Sequence, residues 1–326
     1  MRIAILGAGA WGSALSVWLA RAHAPTLWDR ACLDEIARTR RSPYLPDIEI
    51  PAAVRLEADA SRAVETCDLA IVATSTAGML PTLERVGDKA RDRALLWACK
   101  GFDPATGRLP HELVAGALPV CERTGALSGP SFAFEVARGL PAALAVASLD
   151  AKFAAETAAA LNGARLRIYS STDLIGVELG GALKNVMAIA AGISDGLGLG
   201  ANARAALITR GLAEMARLGT RMGGRPETFM GLTGVGDLVL TATGDLSRNR
   251  TVGLRLAEGQ PLEKILEALG HVAEGVHTAR SALALAARLG VEMPITEAVC
   301  GVLFEGVPPK AAVQSLLARE AKPEGA

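Results

Sequence analysis

Short apolar runs alternate with amphipathic stretches along the first half of the chain. The apolar runs are four to six residues long and lack polar alternation, which is typical of parallel strands covered on both faces of a sheet. They are Arg2–Leu6, Thr26–Asp29, Leu69–Ala73, Ala94–Ala98, Gly125–Ser128 and Ala142–Ala147. Helical patterns separate most of them, at Ala10–Arg21, Leu33–Arg40, His111–Leu118 and Phe132–Arg138. This order predicts βαβ units and an α/β fold with a doubly wound, mostly parallel sheet.

The pattern changes near Asp150. Ala151–Asn162 is alanine-rich and helical, and Leu166–Tyr169 is the last predicted strand. Helical periods dominate the remainder, at Asp173–Ile193, Arg204–Met222, Leu262–Leu269, Thr278–Leu289, Ile295–Phe304 and Pro309–Arg319. We therefore predict an α/β domain over residues 1–170 and a mainly α-helical domain over residues 171–326. Since no proline- or serine-rich linker marks the joint, we expect the two to share a substantial interface.

Composition narrows the classes of function. The 326 residues correspond to about two domains of roughly 150 residues each. The 34 Lys and Arg side chains balance 34 Asp and Glu side chains, which argues against nucleic acid as the main partner. Five cysteines, never spaced as Cys-x-x-Cys, and four histidines without ligand spacing predict neither a disulfide framework nor a metal site. The cysteine usage fits the reducing cytoplasm.

An uncharged run near the start of the sequence resembles an export signal or a short membrane span. It covers Ile3–Ala20 and is followed by Ala22-His23-Ala24, which matches a signal cleavage sequence. Three glycines interrupt the run and would weaken an inserted helix, whereas they suit a strand, a tight turn and a helix start. We expect neither export nor insertion into a membrane.

The interrupting glycines form a motif with a known physical use. Gly7–Gly12 reads Gly-Ala-Gly-Ala-Trp-Gly, directly after a predicted strand and directly before a predicted helix. In such a loop the first glycine permits the tight turn, the second admits a pyrophosphate, and the third lets the helix pack on the strand. The helix N-terminus then attracts the phosphates. The segment predicts a dinucleotide site, and the alternative is a tight βα turn that binds nothing.

Two adjacent residues give opposite indications about which dinucleotide binds. Asp29 lies about twenty residues after the glycines, where a carboxylate would accept a hydrogen bond from the ribose 2′-hydroxyl of NAD. Arg30 follows immediately, and an arginine there would accommodate the 2′-phosphate of NADP. Either residue could instead be a solvated neighbour at the end of a strand. The sequence leaves NAD and NADP both open.

Two further features lie at predicted strand ends, where ligands collect in open α/β sheets. Lys100-Gly101-Phe102 follows one strand, and its lysine is either a ligand-binding cation or a surface charge. Ser128-Gly129-Pro130-Ser131 ends another. Ser131 could hold a substrate oxygen, or could only cap the helix that follows.

Lys184 is the strongest candidate for acid–base chemistry. It follows Gly180-Gly181 by about one helical turn, and these small residues would let another element approach closely. The apolar neighbours Leu183 and Val186 predict a buried helix. Burial lowers the pKa of a lysine and makes it a usable general acid or base. The alternative is a lysine whose stem is buried while its ammonium reaches solvent.

A segment further along combines glycines with groups that bind anions. Gly231–Gly236 places several glycines before Asp237, which fits close approach of the backbone to a ligand. Ser247-Arg248-Asn249 offers a hydroxyl, a guanidinium and an amide, a set suited to a phosphate monoester. Alternatively, Asp237 and Ser247 cap helices and Arg248 is a surface residue.

Taken together, these motifs resemble the bacterial NAD(P)-dependent glycerol-3-phosphate dehydrogenase family over nearly the whole chain. The resemblance is carried by Gly7–Gly12, Tyr44-Leu45-Pro46, Lys100-Gly101-Phe102, Ser128–Gly139, Glu178–Ala191, Asn202–Arg210, Gly231–Asn249 and Glu274-Gly275-Val276. It implies a Rossmann domain joined to a helical domain, with catalysis in the cleft between them. The implied reaction is reversible hydride transfer between NAD(P)H and dihydroxyacetone phosphate, which yields sn-glycerol 3-phosphate for phospholipid synthesis. A homodimer is implied by the same analogy.

The resemblance also implies a role for particular residues. Lys184 would be the general acid/base at the C2 oxygen of the substrate. Substrate contacts would come from Lys100, Gly129, Ser131, Lys184, Asp237, Ser247, Arg248 and Asn249. Cofactor contacts would come from Gly7, Gly9, Ala10, Trp11, Gly12, Arg30, Lys100, Ala133, Arg248, Val272 and Glu274. The chain departs from the family at Ala10, usually Ser or Thr, and at Asp29, usually a small residue.

Two other functions compete with this one. A related β-hydroxyacid dehydrogenase would share the glycine loop and the lysine, but would use the Arg248 group for a carboxylate. A dinucleotide-sensing protein without turnover would need only the glycine loop, and has no use for a buried lysine beside an anion-binding group.

Overall fold

The computed structural model describes residues 1–119, 121–270 and 273–320. Eight strands form one sheet in the order β3-β2-β1-β4-β5-β6-β7-β8, and every neighbouring pair is parallel except β6 and β7. The strands are β1 Arg2–Leu6, β2 Ala24–Trp28, β3 Arg55–Leu56, β4 Leu69–Val72, β5 Ala94–Trp97, β6 Thr124–Ser128, β7 Ala142–Ala147 and β8 Leu166–Ser171. The predicted doubly wound, mostly parallel sheet is confirmed.

Helices cover both faces of this sheet and then form the second half of the chain. Those of the first half are α1 Ala10–Leu19, α2 Leu33–Thr39, α3 Ala60–Glu65, α4 Thr76–Val86, α5 Pro110–Ala117, α6 Ala133–Arg138 and α7 Ala151–Leu161. Those of the second half are α8 Leu174–Gly196, α9 Gly200–Arg221, α10 Pro226–Phe229, α11 Asp237–Thr243, α12 Arg248–Ala257, α13 Leu262–Leu269, α14 Glu274–Leu289, α15 Pro294–Phe304 and α16 Pro309–Leu317. The predicted helical second half is confirmed.

The apolar strand runs exist because both faces of the sheet are buried. In β1 and β4, Ile3 and Ile71 pack in one core, whereas Ala4 and Val72 pack in the other core. Successive side chains of a strand point to opposite faces, so a strand between two helical layers needs apolar residues at every position.

The structure adds elements that the sequence pattern did not predict. Strand β3 has only two residues, and it extends the sheet beyond β2. Helix α4 leaves no separate helical signal in the sequence because it continues the uncharged β4 region, includes two threonines and a glycine, and contains Pro81. Ser75 caps α4 by accepting a hydrogen bond from the Gly78 N–H. These additions leave the architecture unchanged.

Helix α8 lies at the centre of the second half and is buried along nearly its whole length. Among the described residues, it is the helix long and apolar enough to cross a membrane, but 94% of its apolar window is buried in protein. Leu174 and Val177 at its start pack in a core beneath the sheet, and Leu179 and later residues pack in the helical core. Helix α8 therefore joins the two halves.

Helices α8 and α12 cross with their backbones in contact. A Cβ atom added at Gly192 would lie 2.1 Å from the Arg250 carbonyl oxygen, and one at Gly253 would lie 2.1 Å from the Ile189 carbonyl oxygen. No side chain fits at either position, so the two glycines fix the distance between the helices.

Candidate active site

The glycine loop has the geometry that a dinucleotide site needs. Gly7 has a φ of +117°, and a Cβ there would lie 2.9 Å from the backbone of Ala73. A Cβ at Gly12 would lie 1.8 Å from the Gly7 oxygen, so α1 could not pack on β1. A Cβ at Gly9 would meet nothing within 4 Å. Two glycines are thus required by packing, and the middle one borders open space at the start of α1, where a pyrophosphate fits.

The residues at the end of β2 have different surroundings. Arg30 is exposed, whereas Asp29 is half-buried and its carboxylate accepts a hydrogen bond from the Ala8 N–H at 2.8 Å. Arg30 follows β2 and Lys100 follows β5, three strand positions apart, or roughly 14 Å. An extended dinucleotide would span this distance across the carboxyl ends of the strands.

Two lysines converge on one buried carboxylate. The Lys184 ammonium lies 2.5 Å from Asp237 Oδ1 and donates to the Thr241 hydroxyl at 2.9 Å. The Lys100 ammonium lies 2.6 Å from Asp237 Oδ2 and donates to the Gly129 carbonyl at 3.0 Å. Lys100 comes from the end of β5, Lys184 from α8 and Asp237 from the start of α11. The structure therefore brings three sequence-predicted site residues together.

This arrangement shifts the pKa values of the charged groups. Burial lowers the pKa of Lys184 from its ordinary 10.5 to about 8; the Asp237 carboxylate raises it and the Lys100 ammonium lowers it further. Burial acting alone would raise the pKa of Asp237, but the two ammonium groups outweigh burial and hold that pKa below its ordinary value. The anionic form of Asp237 is therefore favoured, and the pKa of Lys184, about 8, lies close to neutral pH.

Small residues allow this convergence, as the Gly180-Gly181 pair predicted. A Cβ at Gly180 would lie 2.4 Å from the Thr233 oxygen, in the π-helical turn Leu232–Gly236 that leads to Asp237. A Cβ at Gly181 would lie 3.0 Å from the Ser128 hydroxyl and 3.4 Å from the Lys100 stem. The glycine pair thus admits the π-helical turn on one side and the strand ends on the other.

The loop after β6 completes the lysine pocket. Gly129 adopts a φ of +135°, and its carbonyl oxygen accepts from both Lys100 and the Ser131 hydroxyl, the latter at 3.1 Å. Ser131 is thus not the cap of α6, whose capping position is Phe132. Ala133 begins α6 and packs with Trp11 around a small core. The loop and the first turn of α1 therefore meet at one side of the cleft.

The predicted anion-binding group divides into three different environments. Ser247 caps α12 by accepting from the Arg250 N–H at 3.2 Å, as its alternative interpretation stated. Asn249 is buried, donates to Asn185 Oδ1 at 2.9 Å and accepts from the Gly275 N–H at 3.1 Å. Arg248 is exposed. The guanidinium is thus available to a ligand, while the Asn249 amide ties α8, α12 and α14 together.

Glu274 lies at the start of α14 and faces the sheet. Its Oε1 accepts from the Thr76 N–H at 3.3 Å. Burial raises the pKa of Glu274, and the positive charge of Arg248 opposes that shift. The structure thus places Glu274 against the start of α4 and within electrostatic reach of Arg248. Val272, the remaining candidate, lies outside the described residues.

Sequence reasoning missed two groups of contacts. Thr241 lies four residues after Asp237, on the same helical face, and that spacing could have identified it. Ser13 and Ser42 donate to the Ala8 carbonyl oxygen, but no spacing links these positions in the sequence. Within the described ranges, no three His, Cys, Asp or Glu side chains are grouped to hold a metal ion.

Comparison with known proteins identifies the family. Residues 2–154 match the family model described as NAD-dependent glycerol-3-phosphate dehydrogenase N-terminus, and residues 173–314 match the corresponding C-terminus. The chain belongs to the NAD-dependent glycerol-3-phosphate dehydrogenase family. The resemblance seen in the sequence motifs is thereby confirmed.

Individual relatives of this dehydrogenase family match nearly end to end. A glycerol-3-phosphate dehydrogenase [NAD(P)+] of Thiobacillus denitrificans is 58% identical, with 99% of this chain and 100% of the relative covered. One of Ralstonia nicotianae is 56% identical over 99% of each chain. The crystal structure of a glycerol-3-phosphate dehydrogenase from Coxiella burnetii is 40% identical, with a TM-score of 0.90 over 98% of this chain and 99% of that one.

Proposed function

We propose that this protein reduces dihydroxyacetone phosphate to sn-glycerol 3-phosphate, reversibly and with NADH or NADPH. Family membership supports the reaction, and the single observation that carries the mechanism is the pair of lysines on Asp237. Ketone reduction requires a proton donor where negative charge develops on the carbonyl oxygen. A lysine with a pKa near 8 is matched to that task at neutral pH.

Lys184 is the general acid/base of this proposal. When bound, the reduced nicotinamide supplies a hydride to C2 of the substrate. The Lys184 ammonium gives a proton to the C2 oxygen, and in the reverse direction neutral Lys184 removes it. Lys100 places a second positive charge beside the same oxygen, and Asp237 holds both ammonium groups at fixed positions. Gly129 and Ser131 complete the substrate side of the pocket.

The substrate phosphate binds at the start of α12 in this proposal. Arg248 supplies an exposed guanidinium, which can bind a phosphate through two parallel hydrogen bonds. The Ser247 hydroxyl accepts from a backbone N–H and still has its own proton to donate. The Asn249 amide has a second N–H beyond the one given to Asn185. All three residues lie at the start of α12, and a helix N-terminus itself favours an anion.

The cofactor lies across the strand ends, from the β2 end to Lys100. Gly7, Gly9, Ala10 and Gly12 would bind the pyrophosphate through the backbone, since Ala10 has no hydroxyl to contribute. The remaining cofactor contacts are proposed to come from Trp11, Arg30, Lys100, Ala133, Arg248, Val272 and Glu274. The open space above Gly9 supports the placement of the phosphates.

The decisive experiment measures absorbance of the reduced nicotinamide with dihydroxyacetone phosphate, using NADH and NADPH separately. We expect rapid loss of absorbance. Arg248→Ala should raise the KM for dihydroxyacetone phosphate by about tenfold or more, through loss of a charge-assisted bond. With the cofactor at saturating concentration, the same substitution should leave the slow turnover of dihydroxyacetone, which has no phosphate, unchanged.

The alternatives predict different results. Faster turnover of 3-oxo acids than of dihydroxyacetone phosphate would favour a β-hydroxyacid dehydrogenase. Binding of both dinucleotides by folded protein, without oxidation, would favour the sensor. Either result would contradict the proposal.

We further propose a cytoplasmic enzyme that supplies phospholipid synthesis, acts as a homodimer, and has no nucleic-acid or membrane partner. The division into domains at residues 170 and 171 is part of the same proposal; the change from β8 to α8 supports it. Light scattering coupled to gel filtration tests the homodimer, and a mass of 33.6 kDa would contradict it.

A further inference from the structure

The Ala8 peptide, between the first two glycines of the loop, is bound on both sides. Its N–H donates to Asp29 Oδ2 at 2.8 Å. Its carbonyl oxygen accepts from the Ser42 hydroxyl at 2.7 Å and from the Ser13 hydroxyl at 3.0 Å. Ala8, Ser13 and Ser42 are all buried. The peptide that sets the direction of the glycine loop is therefore fixed by three side chains from three segments.

The second oxygen of Asp29 is also occupied by the protein itself. Oδ1 accepts from the Ala31 N–H at 2.7 Å and from the Cys32 N–H at 3.0 Å. The Cys32 thiol lies 3.3 Å from the same oxygen. Burial alone would raise the pKa of Asp29, but these backbone donors lower it, so the carboxylate remains an anion. Its charge is directed at backbone N–H groups of the loop and of the turn into α2.

Arg30 has the opposite surroundings. Its side chain is exposed, and within the described residues it forms no ion pair with Asp29 or with another carboxylate inside 4.0 Å. A guanidinium in this position remains free to bind an anion beside the ribose. Asp29 thus binds backbone N–H groups of the protein, whereas Arg30 faces solvent, although the sequence alone suggested that both residues could bind the same ribose.

We propose that Asp29 is a positioning residue that fixes the glycine loop and is not a ribose ligand, so that it supports binding of both dinucleotides alike and takes no part in the choice between them. This inference rests on the proposed function only in taking a nicotinamide dinucleotide as the ligand. It also explains how an aspartate at this position is compatible with a 2′-phosphate: the backbone donors already offset its charge.

The test measures dissociation constants of NADPH and NADH by calorimetry, without substrate. Asp29→Asn should weaken binding of both cofactors by a similar factor of about tenfold, because loss of a charge-assisted bond loosens the loop that holds their common pyrophosphate. The ratio of the two constants should change by less than about twofold. Arg30→Ala should weaken NADPH by about tenfold or more and NADH by less than about threefold.

Two further variants keep the test decisive. Ser42→Ala removes a bond from the other side of the Ala8 peptide, so it should weaken both cofactors together, as Asp29→Asn does. Asp34→Asn removes a nearby exposed charge from α2 and should change neither constant, which controls for a general effect of charge. If Asp29→Asn unfolds the protein, Ser42→Ala supplies the same comparison.

Several results would overturn the inference. Selective loss of NADH binding in Asp29→Asn, or tighter NADPH binding there, would make Asp29 a ribose ligand. Unchanged binding of both cofactors in Asp29→Asn would remove its positioning role. All of these are binding results, and absence of turnover with dihydroxyacetone phosphate would count against the proposed function alone.

Discussion

Asp237 and Glu178 are two buried carboxylates, one in contact with the central helix α8 and the other on that helix, and their partners differ in kind. Asp237 lies between the ammonium groups of Lys100 and Lys184, at 2.6 Å and 2.5 Å. Glu178 accepts from the Trp97 indole and the His111 N–H, each at 2.9 Å, and its second oxygen lies 2.5 Å from His111 Nδ1. One carboxylate binds two ammonium groups, and the other binds an indole N–H, a backbone N–H and an imidazole.

The pKa values follow the partners. Burial would raise the pKa of both groups, but two fixed positive charges lower that of Asp237, whereas one imidazole leaves that of Glu178 raised. Asp237 therefore keeps a negative charge between the two lysines, at the site of the proposed reaction. Glu178 joins α8 to β5 and α5, which positions the helix that carries Lys184. Burial alone therefore does not determine the protonation state of a carboxyl group in this protein; the charges of its neighbours do.

The largest effect is expected from removing the titrating lysine. Lys184→Met keeps the length and apolar stem of the side chain but has no proton to transfer. We expect kcat to fall about 10²- to 10⁴-fold. The measurement is steady-state reduction of dihydroxyacetone phosphate, with Lys152→Met as the control because its side chain is 82% exposed. Near-normal turnover would exclude Lys184 as general acid.

Removing the carboxylate between the lysines is expected to have the next largest effect. Asp237→Asn deletes the charge that favours protonated Lys184, so the pKa of Lys184 should fall below about 8. Reduction requires the ammonium form, so the loss of kcat with rising pH should move to lower pH. Leaving the buried Lys184 ammonium and the half-buried Lys100 ammonium without a carboxylate should also cost about 3–5 kcal/mol of stability. An unchanged pH profile would contradict this assignment.

The Glu178 cluster should affect stability more than rate. Glu178→Gln or His111→Asn should lower the free energy of unfolding by about 1–3 kcal/mol, while kcat changes less than about threefold. The pKa values of both groups are raised in the folded protein, so their contribution to the free energy of unfolding falls as the pH rises. The fall begins at about pH 4.5 for Glu178 and at about pH 6.5 for His111, which are their ordinary pKa values, and it is complete above the raised values of the folded protein. Urea unfolding of each variant between pH 5 and pH 9 would measure this loss of unfolding free energy. A loss that does not change with pH would contradict the prediction.

The smallest effect is expected from an ion pair that is not buried. Lys152 and Glu156 lie 3.8 Å apart on the surface of α7, one helical turn from each other. Glu156→Gln should change stability by no more than about 0.5 kcal/mol and leave kcat unaffected. Urea unfolding and the standard assay measure both quantities. A larger loss of unfolding free energy in Glu156→Gln than in Glu178→Gln would contradict the prediction that buried contacts stabilise the fold more than exposed ones.

Local patterns explain which parts of the fold were predictable. The long parallel strands are continuous apolar runs because helices cover both faces, and this leaves a signal in the sequence. Strand β3 has two residues and leaves none, and α4 continues the apolar pattern of β4. Lys184 was predictable as a buried lysine because its own helix is apolar and because two glycines precede it.

Long-range pairings explain what could not be predicted. Glu178 lies 67 residues from His111 and 81 residues from Trp97, and no spacing rule connects such positions. The sequence does not show the hydrogen-bond partners of Asp29 either, because a carboxylate that holds a loop and one that binds a ribose have the same neighbours in the sequence. Only the folded backbone shows which N–H groups it faces.

The crossing of α8 and α12 has a consequence for protein engineering. Gly192 and Gly253 lie where the helix of the proposed proton donor touches the helix that begins with Ser247-Arg248-Asn249. An alanine at either glycine would push the two helices apart and carry the phosphate-binding end away from Lys184. A substrate of fixed length would then no longer reach both. The missing methyl groups of Gly192 and Gly253 thus set the distance between the proposed proton donor and the proposed phosphate site.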